Sequence, residues 1–176
     1  KRIDYDKVMT VALFSSAFFV ASFIHVPIGP ASVHLVLSGI LGLILGWSAF
    51  PAILAALFLQ ALLFQYGGLL VLGVNTAIIS LPAILIGLTL KPALALKGRK
   101  RTLALLAAGS LPIVGSSFLL AACLVLVGEG FQKASVIVFL WNLPVAVLEG
   151  IITLFTVEFI ARVQPEILAF STSGNK

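Results

Sequence analysis

The sequence predicts an all-α fold, a polytopic transmembrane bundle of helices, and its composition and apolar runs support this. Of its 176 residues, 61% are hydrophobic and 10% are charged, whereas soluble domains carry about 25% charged residues. The apolar runs are continuous and far longer than a barrel strand of roughly 10 residues. We therefore expect residues 1–176 to form a single domain in the lipid bilayer, with no role in binding nucleic acid.

Six apolar segments follow one another, with proline near helix starts and glycine near helix ends. They cover about residues 8–26, 34–48, 51–66, 69–90, 102–127 and 135–162. The second and third are short for a hydrocarbon layer of roughly 30 Å, so one kinked helix over about 34–66 is an alternative. Six glycines could allow helices to approach closely: Gly39, Gly42, Gly46, Gly67, Gly68 and Gly73.

The basic residues favour six helices in this chain. They lie before the first span, in the loop from Lys91 to Arg101, and at Arg162 after the last span. Six spans place all three groups on one side, which the positive-inside rule makes cytoplasmic. We expect a multi-pass protein of a prokaryotic cell (inner) membrane with both ends of this chain cytoplasmic. Because the chain starts at Lys1 and its sole methionine is Met9, we also expect that residues precede Lys1 in the intact protein; a further helix there would place the true N-terminus outside.

The chain's two histidines flank a Pro/Gly-rich break between the first two spans. The stretch reads HVPIGPASVH from His25 to His34. Neutral imidazole is a common ligand for nickel, cobalt, copper and zinc, and His34 is the stronger candidate. The alternative for either residue is an interfacial histidine that caps a helix or binds a carbonyl. The spacing matches no established metal motif by itself.

Polar residues of other spans are expected near this stretch. Gln65, Asn75, Thr76 and Asn142 should lie at a similar depth. The candidates for orienting His34 are His25, Ser32, Gln65, Asn75 and Thr76. Glu149 lies near the middle of the last span, where a carboxylate is costly. It is roughly 20 Å from the outer end by helical rise, so we do not assign it to this site, and its role stays open between function and packing.

Catalytic motifs are not found in the sequence. It contains no GxxxxGK[ST] phosphate loop and no legible Ser/His/Asp set. We expect a protein that is not an enzyme, and any uphill transport must draw its energy from another subunit.

The histidine stretch resembles the substrate-binding membrane component of cobalt and nickel transporters of the energy-coupling factor (ECF) type, the CbiM/NikM family. The resemblance spans essentially the whole chain. It is carried by residues 27–39, Gly46-Trp47, residues 50–52, 60–65, Gly67-Gly68, residues 72–76, Asn142, Pro144, Glu149-Gly150 and residues 165–168.

The resemblance implies capture of Co²⁺ or Ni²⁺ as cargo, with no resident cofactor. It implies a transmembrane coupling (T) protein, two cytoplasmic ATPase subunits and, in some systems, a small auxiliary membrane subunit as partners. In the family, a Met-His segment on an extra N-terminal helix supplies an amine, a backbone nitrogen and an imidazole. The later histidine of a Ser-Val-His motif completes the set, here His34. Lys1-Arg2 is not that segment, so the ligands it would supply are absent from this sequence. The resemblance therefore implies a seventh helix ahead of Lys1 in the intact protein.

The implied ligand set is all nitrogen and planar, which suits Ni²⁺ or low-spin Co²⁺ better than tetrahedral Zn²⁺. Cobalt and nickel are not distinguished by the sequence. Two other functions remain open. One is an ECF-type binding subunit for an organic micronutrient, which predicts that His34→Ala leaves ligand binding unchanged. The other is a structural or assembly subunit without a ligand.

Overall fold

The structure, a computed structural model, describes residues 5–23, 25–28, 31–65 and 67–168, and the side chains of residues 8–23, 35–65, 67–128 and 130–168. Within these residues the predicted helical fold class is confirmed. The α-helices are α1 (Tyr5–Ala21), α2 (Ser38–Leu45), α3 (Ala49–Phe64), α4 (Leu72–Leu90), α5 (Gly98–Val127) and α6 (Gln132–Val163). Short 3₁₀ turns lie at Gly46–Ser48, Lys91–Ala95 and Glu129–Phe131.

A short antiparallel hairpin, which the sequence analysis does not foresee, joins α1 to α2. Its strands are β1 (His25–Ile28) and β2 (Ala31–His34). The predicted first span therefore ends early, at Ala21, because the chain leaves the helix before the histidine stretch. Helix α5 continues without interruption through Pro112 and Gly115.

Many large apolar side chains of the described residues are exposed, and a few polar ones are fully buried within a mostly apolar core. Leu126 and Phe118 are 86% and 63% exposed, whereas Thr76, Glu149 and Thr153 are fully buried. Lipid is the solvent that makes this arrangement favourable. By length and composition alone, four helical stretches among the described residues could cross a membrane: Ser38–Phe64, Leu72–Ala95, Gly98–Val127 and Gln132–Val163. The first of these is divided by a turn into α2 and α3. The chain is a multi-pass membrane protein.

Contacts between helices fix their relative directions. The Ser15 hydroxyl donates a hydrogen bond to the Ala52 carbonyl at 2.7 Å, and the Gln60 amide donates to the Ser22 hydroxyl at 2.8 Å, so α1 and α3 run in the same direction. Arg101, near the start of α5, forms an ion pair with Glu158, near the end of α6, at 2.8 Å. Helices α5 and α6 are therefore antiparallel.

The stretch Ser38–Phe64 reverses its direction at Gly46. A Cβ at Gly42 would meet Ala83 and one at Gly46 would meet Leu88, so α2 runs parallel to α4. Helix α3 ends next to the start of α4 and runs antiparallel to it. Gly46 has φ +54°, a backbone conformation that glycine adopts without steric cost. The second and third segments are thus separate, as predicted, rather than one kinked helix.

Helix α2 is shorter than predicted and begins inside the bundle. Its eight residues span about 12 Å, and all of them are buried. It starts at Ser38 rather than at residue 34 because the preceding residues belong to β2 and a short connection.

Both described ends of the chain lie together. Met9, Thr10 and Leu13 of α1 line one surface pocket with residues 163–167. We call this the basic end, because Lys97, Arg99 and Lys100 lie exposed beside the start of α5 there. The opposite end, where β1 and β2 lie, is the hairpin end.

Glycines bring α2 into backbone contact with α4 and α5. A Cβ at Gly42 would lie 1.9 Å from the Ala83 carbonyl oxygen, and one at Gly39 would lie 2.4 Å from that of Ala108. The expected close packing is confirmed at these two glycines. It is wrong for Gly73, where a Cβ would meet nothing within 4 Å.

Gly42→Ala should destabilise the protein by about 1–3 kcal/mol, because the added methyl group overlaps backbone that cannot move aside. Gly73→Ala is the matched control and should be neutral or stabilising, since it adds a methyl group to open space on a helix. Thermal unfolding of both variants in detergent measures the difference. Equal melting temperatures would show that α2 is not packed against α4 as described.

Candidate functional site

The hairpin brings His25 and His34 directly opposite each other. The register pairs His25 with His34, Val26 with Val33, Pro27 with Ser32 and Ile28 with Ala31. Opposed residues in antiparallel strands have Cα atoms about 4.5–5.5 Å apart. The backbone positions of two histidines that are nine residues apart in sequence thus lie next to each other across the two strands. Their side chains, like that of Ser32, lie outside the described part of the chain, so their predicted roles stay predictions.

A buried carboxylate binds the connection between β2 and α2. Oε1 of Glu149 accepts hydrogen bonds from the backbone N–H groups of Val36 and Leu37, and the Leu37 N–H also lies 3.0 Å from Oε2. Glu149 itself is fully buried on α6. A carboxylate at the start of a helix satisfies unpaired amides and interacts favourably with the helix dipole.

The carboxylate supplies a cap that the local sequence lacks. The residue before α2 is Leu37, which makes no side-chain capping bond and has φ 51° and ψ 20°. This left-handed conformation costs a non-glycine residue about 1–2 kcal/mol. The two hydrogen bonds to Glu149 turn the amides of this connection inward, towards α6, and thereby hold the unusual backbone.

A cavity of about 300 Å³ lies beside this connection. Val36 forms one part of its wall, and polar side chains from four helices form other parts. These are Gln60, Asn75, Ser116, Ser117 and Asn142. The Asn142 amide donates to the Val138 carbonyl at 2.8 Å, while the buried Ser116 hydroxyl has no partner among the described residues. The wall therefore retains uncharged hydrogen-bonding capacity.

The structure gathers some of the predicted polar residues and separates others. Asn75 and Asn142 share the cavity, as their predicted depth suggests. Thr76 is fully buried, and its hydroxyl donates to the Leu72 carbonyl in its own helix at 2.7 Å. Gln65 is exposed after the end of α3, with φ 59°.

Gln60 and Glu149 are the residues that sequence reasoning missed at this place. Gln60 is a carboxamide within an apolar span, which is a signal of a buried partner or a function. The distance of Glu149 from the outer end of the last span keeps it out of the site predicted from the sequence. In the structure, α2 begins at the depth of Glu149, so the carboxylate reaches the connection that follows β2.

The described side chains, which do not include those of His25 and His34, contain no cluster of three or more His, Cys, Asp or Glu residues that could hold a metal ion. What they provide is a buried anchor, Glu149, and an uncharged cavity, lined mainly by apolar residues with five polar ones, next to the connection that follows the strand of His34.

Solved structures of transporters share the fold. A protein solved as the "Crystal Structure of an transition metal transporter" superposes with a TM-score of 0.72 at 20% identity, covering 98% of this chain and 84% of that one. A second, solved as a truncated transition metal transporter, gives 0.68 at 21% identity, covering 91% of this chain and 83% of that one.

Sequence comparison gives a more specific relationship. A protein of Haemophilus influenzae that is named for metal transport is 38% identical over 173 residues, which are 96% of this chain and 83% of that protein. Residues 1–167 match the CbiM family, described as "Cobalt uptake substrate-specific transmembrane region". The resemblance noted from the residues is confirmed, and the chain belongs to the CbiM family of cobalt-uptake transmembrane proteins.

Proposed function

We propose that this chain is the substrate-capturing subunit of an ECF-type importer for Co²⁺ or Ni²⁺, with His34 as a direct metal ligand. The observation that carries the proposal is the pairing of His34 with His25 in a strand whose exit is bound to Glu149. Membership of the CbiM family supports metal as the cargo.

The donors at this place favour a borderline metal over a hard cation. Imidazole nitrogen suits nickel and cobalt, whereas Ca²⁺ and Mg²⁺ require several oxygen ligands, mostly carboxylates. The Glu149 carboxylate already accepts two backbone N–H groups, and Asn75 and Asn142 are neutral. We therefore propose that further nitrogen ligands complete the site, as the family resemblance implies.

In this proposal, partner subunits supply the energy for import. A transmembrane coupling protein, two cytoplasmic ATPase subunits and, where present, a small auxiliary membrane subunit form the complex. The exposed cations Lys97, Arg99 and Lys100 support a cytoplasmic basic end. The hairpin end then faces outward, where the metal ion arrives.

Full-length protein with its native N-terminus should bind one Co²⁺ or Ni²⁺ tightly, and His34→Ala should weaken that binding by more than about 100-fold. Even groups that only orient ligands cost 10- to 100-fold when they are removed. Calorimetric titration of purified protein measures the effect, with Mg²⁺ as the ion that should not bind. Equal affinity in the variant would exclude His34 as a ligand.

Asn75→Ala should weaken metal binding by roughly 10-fold without abolishing it, because Asn75 lines the cavity beside the anchored connection. Gln65→Ala is the matched control: it removes a carboxamide that is exposed outside the cavity and should leave affinity unchanged. The reverse order of effects would contradict the proposed position of the site.

The cavity supports a second candidate, an organic micronutrient as the cargo. Its volume of about 300 Å³ is at the lower limit of small-molecule sites, which range over about 300–1,000 Å³. This candidate predicts that the metal titration is flat and that uptake is indifferent to His34→Ala.

A further inference from the structure

We propose that Glu149 is a positioning residue for the metal site: by binding the backbone after β2 it fixes the place of His34 and thereby sets metal affinity. This inference rests on the proposed function. Its structural part, the anchoring of the connection from β2 to α2, is measurable without any metal.

The hydrogen bonds of Glu149 are directed to the backbone of this connection. Helix α6 contains a second glutamate, Glu158, which forms an ion pair with Arg101 at the basic end. Glu158 is nine residues further along, about 14 Å by helical rise. The amides of Val36 and Leu37 thus stabilise the charge of Glu149. Hydrogen bonds to a carboxylate are stronger than hydrogen bonds between neutral groups.

The anchor is rigid because the three helices around it touch through their backbones. A Cβ at Gly109 of α5 would lie 2.5 Å from the Glu149 carbonyl oxygen, and one at Gly150 would lie 2.9 Å from that of Leu106. Gly39 of α2 lies equally close to α5. The carboxylate therefore has a fixed position relative to both α5 and α2.

His34 is only two residues before Val36. Even fully extended, two residues span about 7 Å. A displacement of the backbone at Val36 is therefore transmitted almost fully to the strand that contains His34. The opposing strand contains His25 at the paired position. Loss of the anchor should therefore disturb the register at which both histidines meet, and a metal site tolerates little displacement of its ligands.

The test compares Glu149→Ala with the matched control Glu158→Ala in the full-length protein. Both changes remove a carboxylate of α6, but the first removes the acceptor of the Val36 and Leu37 amides and the control removes an ion pair at the basic end. Hydrogen exchange measured by mass spectrometry should show at least roughly 10-fold faster exchange of residues 35–40 in Glu149→Ala only. Affinity for Co²⁺ or Ni²⁺ should fall roughly 10- to 100-fold, and the visible spectrum of the bound ion should change.

Each part of the inference has its own contradicting result. Unchanged exchange at residues 35–40 overturns the anchor. Faster exchange with unchanged affinity and spectrum overturns the positioning role and leaves Glu149 a structural cap. Wild-type protein that binds neither ion overturns the proposed function and the positioning role with it, while exchange still decides the anchor. Should Glu149→Ala fail to accumulate, Glu149→Asp keeps the carboxylate on a shorter side chain and should give intermediate effects.

Discussion

The hydrogen bonds between the Glu149 carboxylate and the amides of Val36 and Leu37 are the interaction on which the arrangement of this end of the bundle depends. An unpaired backbone N–H group in a lipid environment costs several kcal/mol. Helix α2 begins inside the bundle and has Leu37, not a capping residue, before it. The Glu149 carboxylate from α6 accepts hydrogen bonds from two of the amides at this point, those of Val36 and Leu37.

The consequences reach the rest of the site through packing. Because α2 starts at the depth of Glu149, the chain between α1 and α2 has room to form β1 and β2 at the hairpin end. Val36 then contributes to the cavity wall next to Asn75 and Asn142. Close backbone contacts at Gly39 and Gly42 hold α2 in this place, so the strand that carries His34 is attached to a rigid part of the fold.

Most of the fold could be predicted from sequence because lipid imposes simple rules. Long apolar runs with proline and glycine at their ends give the helices, and the basic residues distinguish six segments from five. The start of α2 could not be predicted, since its cap comes from Glu149, which is 112 residues away from Leu37. Local rules for helix starts use only neighbouring residues.

Part of the candidate site could also be predicted from the geometry of long helices. Asn75 and Asn142 share a wall because helical rise places them at similar depths. The pairing of His25 with His34 depends on strand register, which a Pro/Gly-rich break does not specify. Gln60 lines the cavity from within α3, whereas Gln65 lies after the end of that helix and is exposed. Weak helical periodicity in an all-apolar span does not indicate which residues of the helix face inward.

The central claim is that a nickel or cobalt ion binds to nitrogen ligands that include His34. X-ray absorption at the metal edge, on full-length protein loaded with Co²⁺ or Ni²⁺, tests it most directly. The account predicts a first shell of nitrogen neighbours with imidazole scattering that decreases in His34→Ala. A shell of oxygen or sulfur, or imidazole scattering that is unchanged in the variant, would contradict it.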